Sequence, residues 1–173
     1  MAVILLPFSK PPCRLKLRAA ASFHKEELLL RYTLTGDIER VLLPALKRSR
    51  PRKDGLWKST CFEAFLSPET GPGYWELNFS PSGAWNAYRF DGYRQGMREG
   101  PVALPPRIRT TRAKTEFTFT ARIALPALRA VKAGLTSVLA IRDGTTTYWS
   151  LAHPAPKPDF HDPKGWLPTI RDP

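Results

Sequence analysis

Three short segments decide the fold class of this chain: TCFEAFL at 60–66, YWELNF at 74–79 and WNAYRFDGY at 85–93. Apolar side chains recur at every second position in each of them. A period of two is typical of β-strands, whose successive side chains point to opposite faces. We therefore predict three strands, and we expect one face of the first two to carry the polar side chains of Glu63, Glu76 and Asn78.

Similar alternation predicts further strands outward from these segments, at 14–19, 28–35, 115–123, 136–142 and 145–151. Asp143-Gly144 is a hairpin turn pair between the last two. Only Pro126 to Lys132 has a helical pattern, opened by proline and followed by Gly134. Many short strands without βαβ alternation predict an all-β, antiparallel β-sandwich of the jelly-roll or immunoglobulin-like kind, with at most one short helix.

The size and composition are those of a globular protein. The chain has 173 residues, of which 42% are hydrophobic and 24% charged. This length is enough to bury a core, and we expect a single domain over 1–173. The two cysteines, Cys13 and Cys61, lack the spacing of a zinc or redox pair, so free thiols are expected, although a disulfide between them stays open.

The formal net charge is +12, which by itself attracts polyanions. The densest basic cluster, 47–53, contains Pro51, which indicates an exposed loop. No nucleic-acid-binding motif accompanies this cluster. We therefore do not expect a nucleic-acid partner. The apolar run from Ala2 to Leu6 is too short for a signal-peptide core, and no run reaches transmembrane length. The expectation is a cytoplasmic protein without a membrane partner.

Several motifs together resemble a known family. They are Gly55-Leu56-Trp57 followed by CFEAFL at 61–66, YWELNFSPSG at 74–83, and HPAPKPDFHDPKGW at 153–166. The chain resembles the DOMON-like proteins related to the family 9 carbohydrate-binding modules, and the likeness spans nearly its whole length. In those modules a Trp lies six residues before a strand Glu, as Trp57 does before Glu63. A second aromatic precedes an Asp-Pro pair, where this chain has Phe160 instead of the usual Trp.

The resemblance implies a non-catalytic module that binds a small ligand, most simply a carbohydrate or sugar derivative, between two aromatic plates. A pyranose ring has apolar faces for such plates and an edge of hydroxyls for polar groups. Trp57 and Phe160 would be the plates. The polar partners would be Glu63, Glu76, Asn78, Arg89, Lys157, Asp159 and His161. Because of the net charge, an anionic ligand is more attractive than a neutral sugar.

Structural explanations compete with this site at several positions. Glu63 could form a buried ion pair with Arg89 or Arg142, and Trp57 could simply cover one end of the sandwich. Trp166 could serve only to pack the C-terminal segment. Glu63 and Glu76 could also form a glycosidase-like carboxyl pair, if one pKa were markedly shifted and the separation suited hydrolysis.

A second ligand class follows from the same resemblance. DOMON relatives include cytochrome domains that hold haem through axial methionine and histidine, so Met97 with His153 or His161 is a conceivable ligand pair. No metal-binding or nucleophile motif supports catalysis. The sequence therefore predicts no cofactor, with haem as the alternative.

Overall fold

The computed structural model describes residues 2–24, 26–68, 71–125 and 130–171. Within these ranges the chain forms β-strands, three short 3-10 turns and no α-helix. The strands are β1 Val3–Pro7, β2 Leu15–His24, β3 Glu27–Gly36, β4 Cys61–Pro68, β5 Tyr74–Phe79, β6 Trp85–Phe90, β7 Arg98–Glu99, β8 Arg107–Arg112, β9 Glu116–Ala124, β10 Ala130–Ala140, β11 Thr146–Ser150 and β12 Leu167–Arg171. The 3-10 turns are Ile38–Arg40, Leu56–Lys58 and Pro163–Gly165.

Hydrogen bonds connect the strands in one continuous antiparallel path. The order is β7-β6-β5-β4-β10-β11-β1-β2-β3-β9-β8, and β12 pairs with β10. Strand β1 is the link between the two halves, because it pairs with β2 through 3–5 and with β11 through 6–7. We call β4, β5, β6, β10 and β11 the cavity half, and β2, β3, β8 and β9 the basic half.

A single large core lies between the two halves. Phe62 of β4 stacks on Phe119 of β9 with ring centroids 4.8 Å apart, and it also contacts the ring of Tyr32 from β3. The Tyr32 hydroxyl donates to the carbonyl of Glu63 across the core at 2.5 Å. Trp75 and Trp149 are buried in the same cluster. The sheet therefore curls until its halves meet through their apolar faces.

This architecture confirms the all-β, antiparallel prediction and corrects its finer part. We predicted a β-sandwich of the jelly-roll or immunoglobulin-like kind, whereas β1 pairs along both edges and joins the halves into one curled sheet. The predicted helix from Pro126 to Lys132 lies largely outside the described residues, and its last part, 130–132, is the start of strand β10. Both cysteines are free.

Most predicted strands are present with nearly the expected bounds. The β5 prediction matches residue for residue, and Gly144, with φ of 92°, forms the expected hairpin turn between β10 and β11. Strands β1, β7, β8 and β12 were not predicted. Among the described residues, no helix combines the length and the apolar composition of a membrane span.

Candidate functional site

The outward face of β4, β5 and β6 carries an unusual set of buried polar groups. Alternation sends Phe62 of β4 and Leu77 of β5 into the core, so the residues next to each of them along the strand point to the other side. The register places Glu63 opposite Asn78, and Asn78 opposite Asn86. All three are buried, with 2% or less of their surface exposed. The period-two prediction of a shared polar face for Glu63, Glu76 and Asn78 is thereby confirmed.

A cavity of about 370 Å³ lies over this face. Such a volume is within the range of small-molecule sites, roughly 300 to 1,000 Å³. Its lining combines aromatic, carboxyl and basic side chains. The lining residues are Trp57, Glu63, Phe65, Glu76, Phe90, Arg94, Met97, Val138, Tyr148, Pro158, Phe160 and His161.

Trp57 reaches the cavity from a short turn that neighbouring groups hold in place. Gly55 adopts φ of 69°, a left-handed conformation that glycine tolerates, and Leu56 is buried beneath the turn. Before the turn, Asp54 accepts a hydrogen bond from the Tyr88 hydroxyl at 2.6 Å. The indole of Trp57 meets the Tyr88 ring edge-on at 6.0 Å and stays 37% exposed. Trp57 is therefore an open wall of the cavity.

Phe160 reaches the same cavity from the C-terminal segment. The indole nitrogen of Trp166 donates to the Phe160 carbonyl at 2.9 Å, while the Trp166 ring stacks on Phe65 at 6.0 Å. The Phe160 ring lies 6.4 Å from Phe65 and 6.2 Å from Tyr148. Trp166 therefore does more than pack the chain end, because it fixes the backbone that carries the second predicted plate.

Glu63 is the most unusual group of the cavity floor. Its Oε2 accepts a long hydrogen bond from Thr136 at 3.4 Å, and its buried Oε1 has no partner. Burial, reinforced by the nearby charge of Glu76, raises the pKa of Glu63 to about 8. Neither proposed structural partner is present: Arg89 lies on the other face of the sheet, and Arg142 donates to the carbonyl of Glu39. At neutral pH the Glu63 carboxyl is thus largely protonated.

Glu76 and His161 form the polar corner next to it. Oε1 of Glu76 accepts from the Asn78 amide at 2.8 Å, and its Oε2 lies 3.8 Å from Nε2 of His161. Burial raises the pKa of Glu76. Burial and the nearby Arg94 lower the pKa of His161 to about 4, so this imidazole is neutral at pH 7.

The tautomer of His161 follows from its contacts. Its Nδ1 lies 2.6 Å from the Tyr74 hydroxyl, which accepts the backbone N–H of Arg94 at 3.2 Å. With that N–H accepted, the Tyr74 proton is free to point at Nδ1. We assign the remaining imidazole proton to Nε2, on the side of Glu76.

A hydrogen-bonded clamp joins the C-terminal segment to the loop after β6. Asp159 pairs with the Arg94 guanidinium at 2.9 Å, accepts the Tyr93 hydroxyl, and accepts the backbone N–H of His161 at 3.1 Å. Although burial acts to raise it, hydrogen bonds from Tyr93 and Arg94 hold the pKa of Asp159 below its usual value. Asp159 thus positions the cavity wall, and its carboxylate oxygens already accept hydrogen bonds from protein groups.

The structure does not bring every predicted residue into the cavity. Arg89 has the parity of Trp85 and Ala87, so its guanidinium lies over the Trp75 ring at 5.0 Å on the opposite face of the sheet. Lys157 is exposed and outside the cavity lining. Asn78 lies under the floor, where it orients Glu76. The expected ligand contacts of Arg89 and Lys157 are therefore not supported by their positions.

The haem alternative gains no support from these positions. Met97 and His161 both line the cavity, but Nδ1 of His161 is bound to Tyr74 and its Nε2 faces Glu76. His153 lies elsewhere, against Phe8, with Nε2 on the carbonyl of Leu6. An iron ligand would need a free imidazole nitrogen directed into open space.

Sequence reasoning missed several lining residues. Alternation places Phe65 on the face of Glu63, yet it was not predicted as a site residue. Phe90 of β6 lies opposite Tyr74, which shares the parity of Glu76, so the same rule could have placed it there. Arg94 lies in a loop and has a φ of 54°. The periodicity of strands does not predict such a conformation. Tyr148 joins the cavity only because β11 pairs beside β10.

The chain matches no protein-family model and no curated protein. Solved structures do match it over nearly its full length. A proposed carbohydrate-binding protein of Bacteroides uniformis aligns with a TM-score of 0.70 at 13% identity, over 100% of this chain and 86% of the other. Structures of a family 9 carbohydrate-binding module share the fold as well.

The two structures are complexes of such a module from Caldicellulosiruptor kristjanssonii. Its complex with cellotriose aligns with a TM-score of 0.59 at 12% identity, over 99% of this chain and 81% of the other. Its complex with glucose aligns with a TM-score of 0.55 at 12% identity, over 96% and 80%. At this level of identity the likeness concerns the fold. It bears out the fold that the resemblance to family 9 modules implied, whereas the DOMON part of that resemblance stays a prediction.

Proposed function

We propose that this protein is a non-catalytic carbohydrate-binding module whose cavity takes a sugar ring between Trp57 and Phe160. The observation that carries the proposal is the buried, unpartnered Oε1 of Glu63 on the floor of an aromatic-walled cavity. A buried polar atom without a partner costs stability, and a ligand hydroxyl would remove that cost.

The floor offers the hydrogen-bonding groups that a sugar edge requires. A protonated Glu63 donates to a hydroxyl and also accepts from one, the Glu76 carboxylate accepts, and Nε2 of His161 donates. The aromatic walls offer flat apolar surfaces for the ring faces. This combination supports a small polyol such as a saccharide.

The charges of the cavity favour a neutral sugar over the anionic ligand that the net charge had suggested. Arg94 is the cation among the described lining residues, and Asp159 already neutralises it. The His161 imidazole is uncharged at neutral pH. Structures of the same fold with glucose and cellotriose are consistent with such a ligand.

One of the two conditions for hydrolysis is met, because the pKa of Glu63 is markedly raised. The placement of the carboxyl groups argues against catalysis. In glycosidases the two carboxyl groups flank the scissile bond. Here Glu63 and Glu76 come from paired strands β4 and β5 and share one floor, and Asn78 holds the Glu76 carboxylate.

Titration calorimetry with glucose and cellotriose tests the proposal. We expect binding by the native chain, weakened at least about tenfold in Trp57→Ala because the variant loses an aromatic wall. The matched control is Leu104→Ala, which removes an exposed apolar side chain outside the cavity lining. The control should bind like the native chain. The proposed site would be contradicted if Trp57→Ala bound the sugars as tightly as the native chain. It would also be contradicted if neither sugar gave a heat of binding with the native chain.

A further inference from the structure

The outward face of the basic half carries a regular array of cations on the opposite side of the core from the cavity. The register sets Arg31, Thr120 and Arg109 in one row across β3, β9 and β8, and it sets Leu29, Arg122 and Arg107 in the next. These six residues line one shallow cleft. On β2, the exposed Arg18 and Lys16 extend the array. We call Lys16, Arg18, Arg31, Arg107, Arg109 and Arg122 the arginine face.

The arginine face is only partly neutralised. Glu27 pairs with Arg107 and lies 3.9 Å from Arg122. Glu116 is the other carboxyl on the outward positions of these strands. In the part of the chain that the structure describes, Arg18, Arg31 and Arg109 form no ion pair. The surface therefore presents an excess of exposed guanidinium groups.

Exposed apolar side chains lie at one edge of this face. Strand β1 pairs with β2, and the register sets Ile4 beside Arg18. Leu5 points into the core, so Ile4 and Leu6 point outward, with 62% and 52% of their surfaces exposed. Apolar anchors beside basic side chains are the combination by which proteins bind the surface of a bilayer with anionic headgroups.

We propose that the arginine face, with Ile4 and Leu6 at its edge, binds the surface of an anionic lipid bilayer. This departs from the prediction, made from the hydropathy of the sequence, that the protein has no membrane partner. The arginines would contact lipid phosphate and carboxylate groups, for which guanidinium geometry is suited. The array spans four adjacent strands, roughly 14 Å at the usual strand spacing, so it can meet several headgroups at once.

A nucleic-acid partner fits this face less well. Single strands are held by basic grooves together with aromatic stacking platforms. The outward positions of β2, β3, β8 and β9 carry no Phe, Tyr or Trp. Exposed Ile4 and Leu6 would also gain nothing against a phosphate backbone. The proposed orientation leaves the sugar cavity directed away from the bilayer.

Vesicle co-sedimentation tests the proposal. The native chain should bind phosphatidylcholine vesicles that contain phosphatidylserine, and it should not bind vesicles of phosphatidylcholine alone. Arg31→Glu/Arg109→Glu should weaken this binding at least about tenfold, because each change reverses a charge at the surface. The matched control Lys47→Glu/Arg48→Glu makes the same charge change at two exposed positions of the loop 42–55. It should bind nearly as the native chain does.

A third variant and a competing ligand separate the explanations. Ile4→Ser keeps every charge and should weaken vesicle binding at high salt more than at low salt, because salt screens only the ionic part. Equal losses in the two double variants would show a net-charge effect and overturn the proposal. A single-stranded oligonucleotide is then added to the vesicle-bound protein. If it displaces the protein at a concentration of nucleotide phosphate below that of the anionic lipid, the proposal is overturned in favour of nucleic acid. Sugar binding by Arg31→Glu/Arg109→Glu should be unchanged, so the two proposals fail independently.

Discussion

The cavity face and the arginine face are built from the same kind of strand but have opposite chemistry. Both are the outward faces of antiparallel strands whose inward side chains fill one shared core. On the cavity face Glu63 is buried and its Oε1 lacks a partner, whereas on the arginine face Glu27 pairs with arginines at the surface. The pleat of the strands gives each half an outward face. Other segments of the same chain decide whether water reaches that face.

The covering segments are what make the difference. The turn at 56–58 and the C-terminal segment at 158–166 lie over the cavity half, held by Asp54, Asp159 and Trp166. No described segment covers the cleft of the basic half in the same way, and its arginines stay exposed. Burial by a covering segment therefore turns an ordinary strand carboxyl into one with a raised pKa.

The largest effect should come from replacing the buried, ionisable carboxyl of Glu63 on the cavity face. The pKa of Glu63 is about 8 in the folded chain, above its value when unfolded, so the folded state binds the extra proton. Its stabilising contribution is complete below about pH 4.5 and is lost as pH rises towards 8. Glu63→Gln should therefore raise the free energy of unfolding at pH 8 on the order of a few kcal/mol, measured by urea denaturation.

The pH profile separates this effect from that of His161. The pKa of His161 is lowered to about 4, so its contribution has the opposite sign and is lost as pH falls from about 6.5 towards 4. The gain from Glu63→Gln should thus grow with each pH step between about 4.5 and 8, whereas the His161 contribution is the same in both chains. The control Glu116→Gln removes an exposed carboxyl from the basic half and should leave the profile unchanged. A Glu63→Gln profile that parallels the native one would contradict the assigned burial effect.

A matched pair of substitutions to valine compares how well the two faces tolerate a changed side chain. A side chain at Gly134 would meet the Trp166 indole at 2.4 Å, so Gly134→Val should displace Trp166 and the Phe160 backbone that it holds. We expect a loss of about 2 kcal/mol in the free energy of unfolding, and weaker sugar binding. Thr120→Val, on the outward face of β9, should change stability by less than about 0.5 kcal/mol. Equal, small effects of both changes would show that Trp166 does not cover β10 as described.

The smallest effect should come from a single hydrogen bond of the covering segment. Trp166→Phe keeps a ring against Phe65 but removes the donor to the Phe160 carbonyl. The cost should be about 1 kcal/mol, since the carbonyl can turn to water, and saccharide affinity should fall modestly. Chemical denaturation and calorimetry measure the two quantities. Full native affinity in Trp166→Phe would indicate that Asp159 alone positions Phe160.

Local patterns predicted the floor of the site well. Alternation in 60–66 and 74–79 placed Glu63 and Glu76 on one face, because parity along a strand is a local property. The same rule, applied to β6, puts Arg89 with Trp85 on the core side, so its assignment to the cavity departed from information already in the sequence. Placing Trp57 beside the floor came from the resemblance to family 9 modules.

Other features depended on distant parts of the chain. Strand β1 is short and ends at Pro7, and only its pairing with both β2 and β11 makes it the link of the curled sheet. Arg94 enters the cavity because Asp159, far along the chain, holds its guanidinium. The helix expected from Pro126 onward rested on proline and glycine signals, while at 130–132 the chain instead pairs with β4 and β12. Pairing with neighbours outweighs such local signals.

The sequence by itself determined the all-β class, most strand positions and the parity of the polar floor, since these follow from side-chain alternation within a few residues. Tertiary structure alone decided which of two similar outward faces became a covered cavity and which stayed an exposed basic surface. The reason is physical: burial, and with it the raised pKa of Glu63 and the neutral His161, depends on segments that lie far away along the chain.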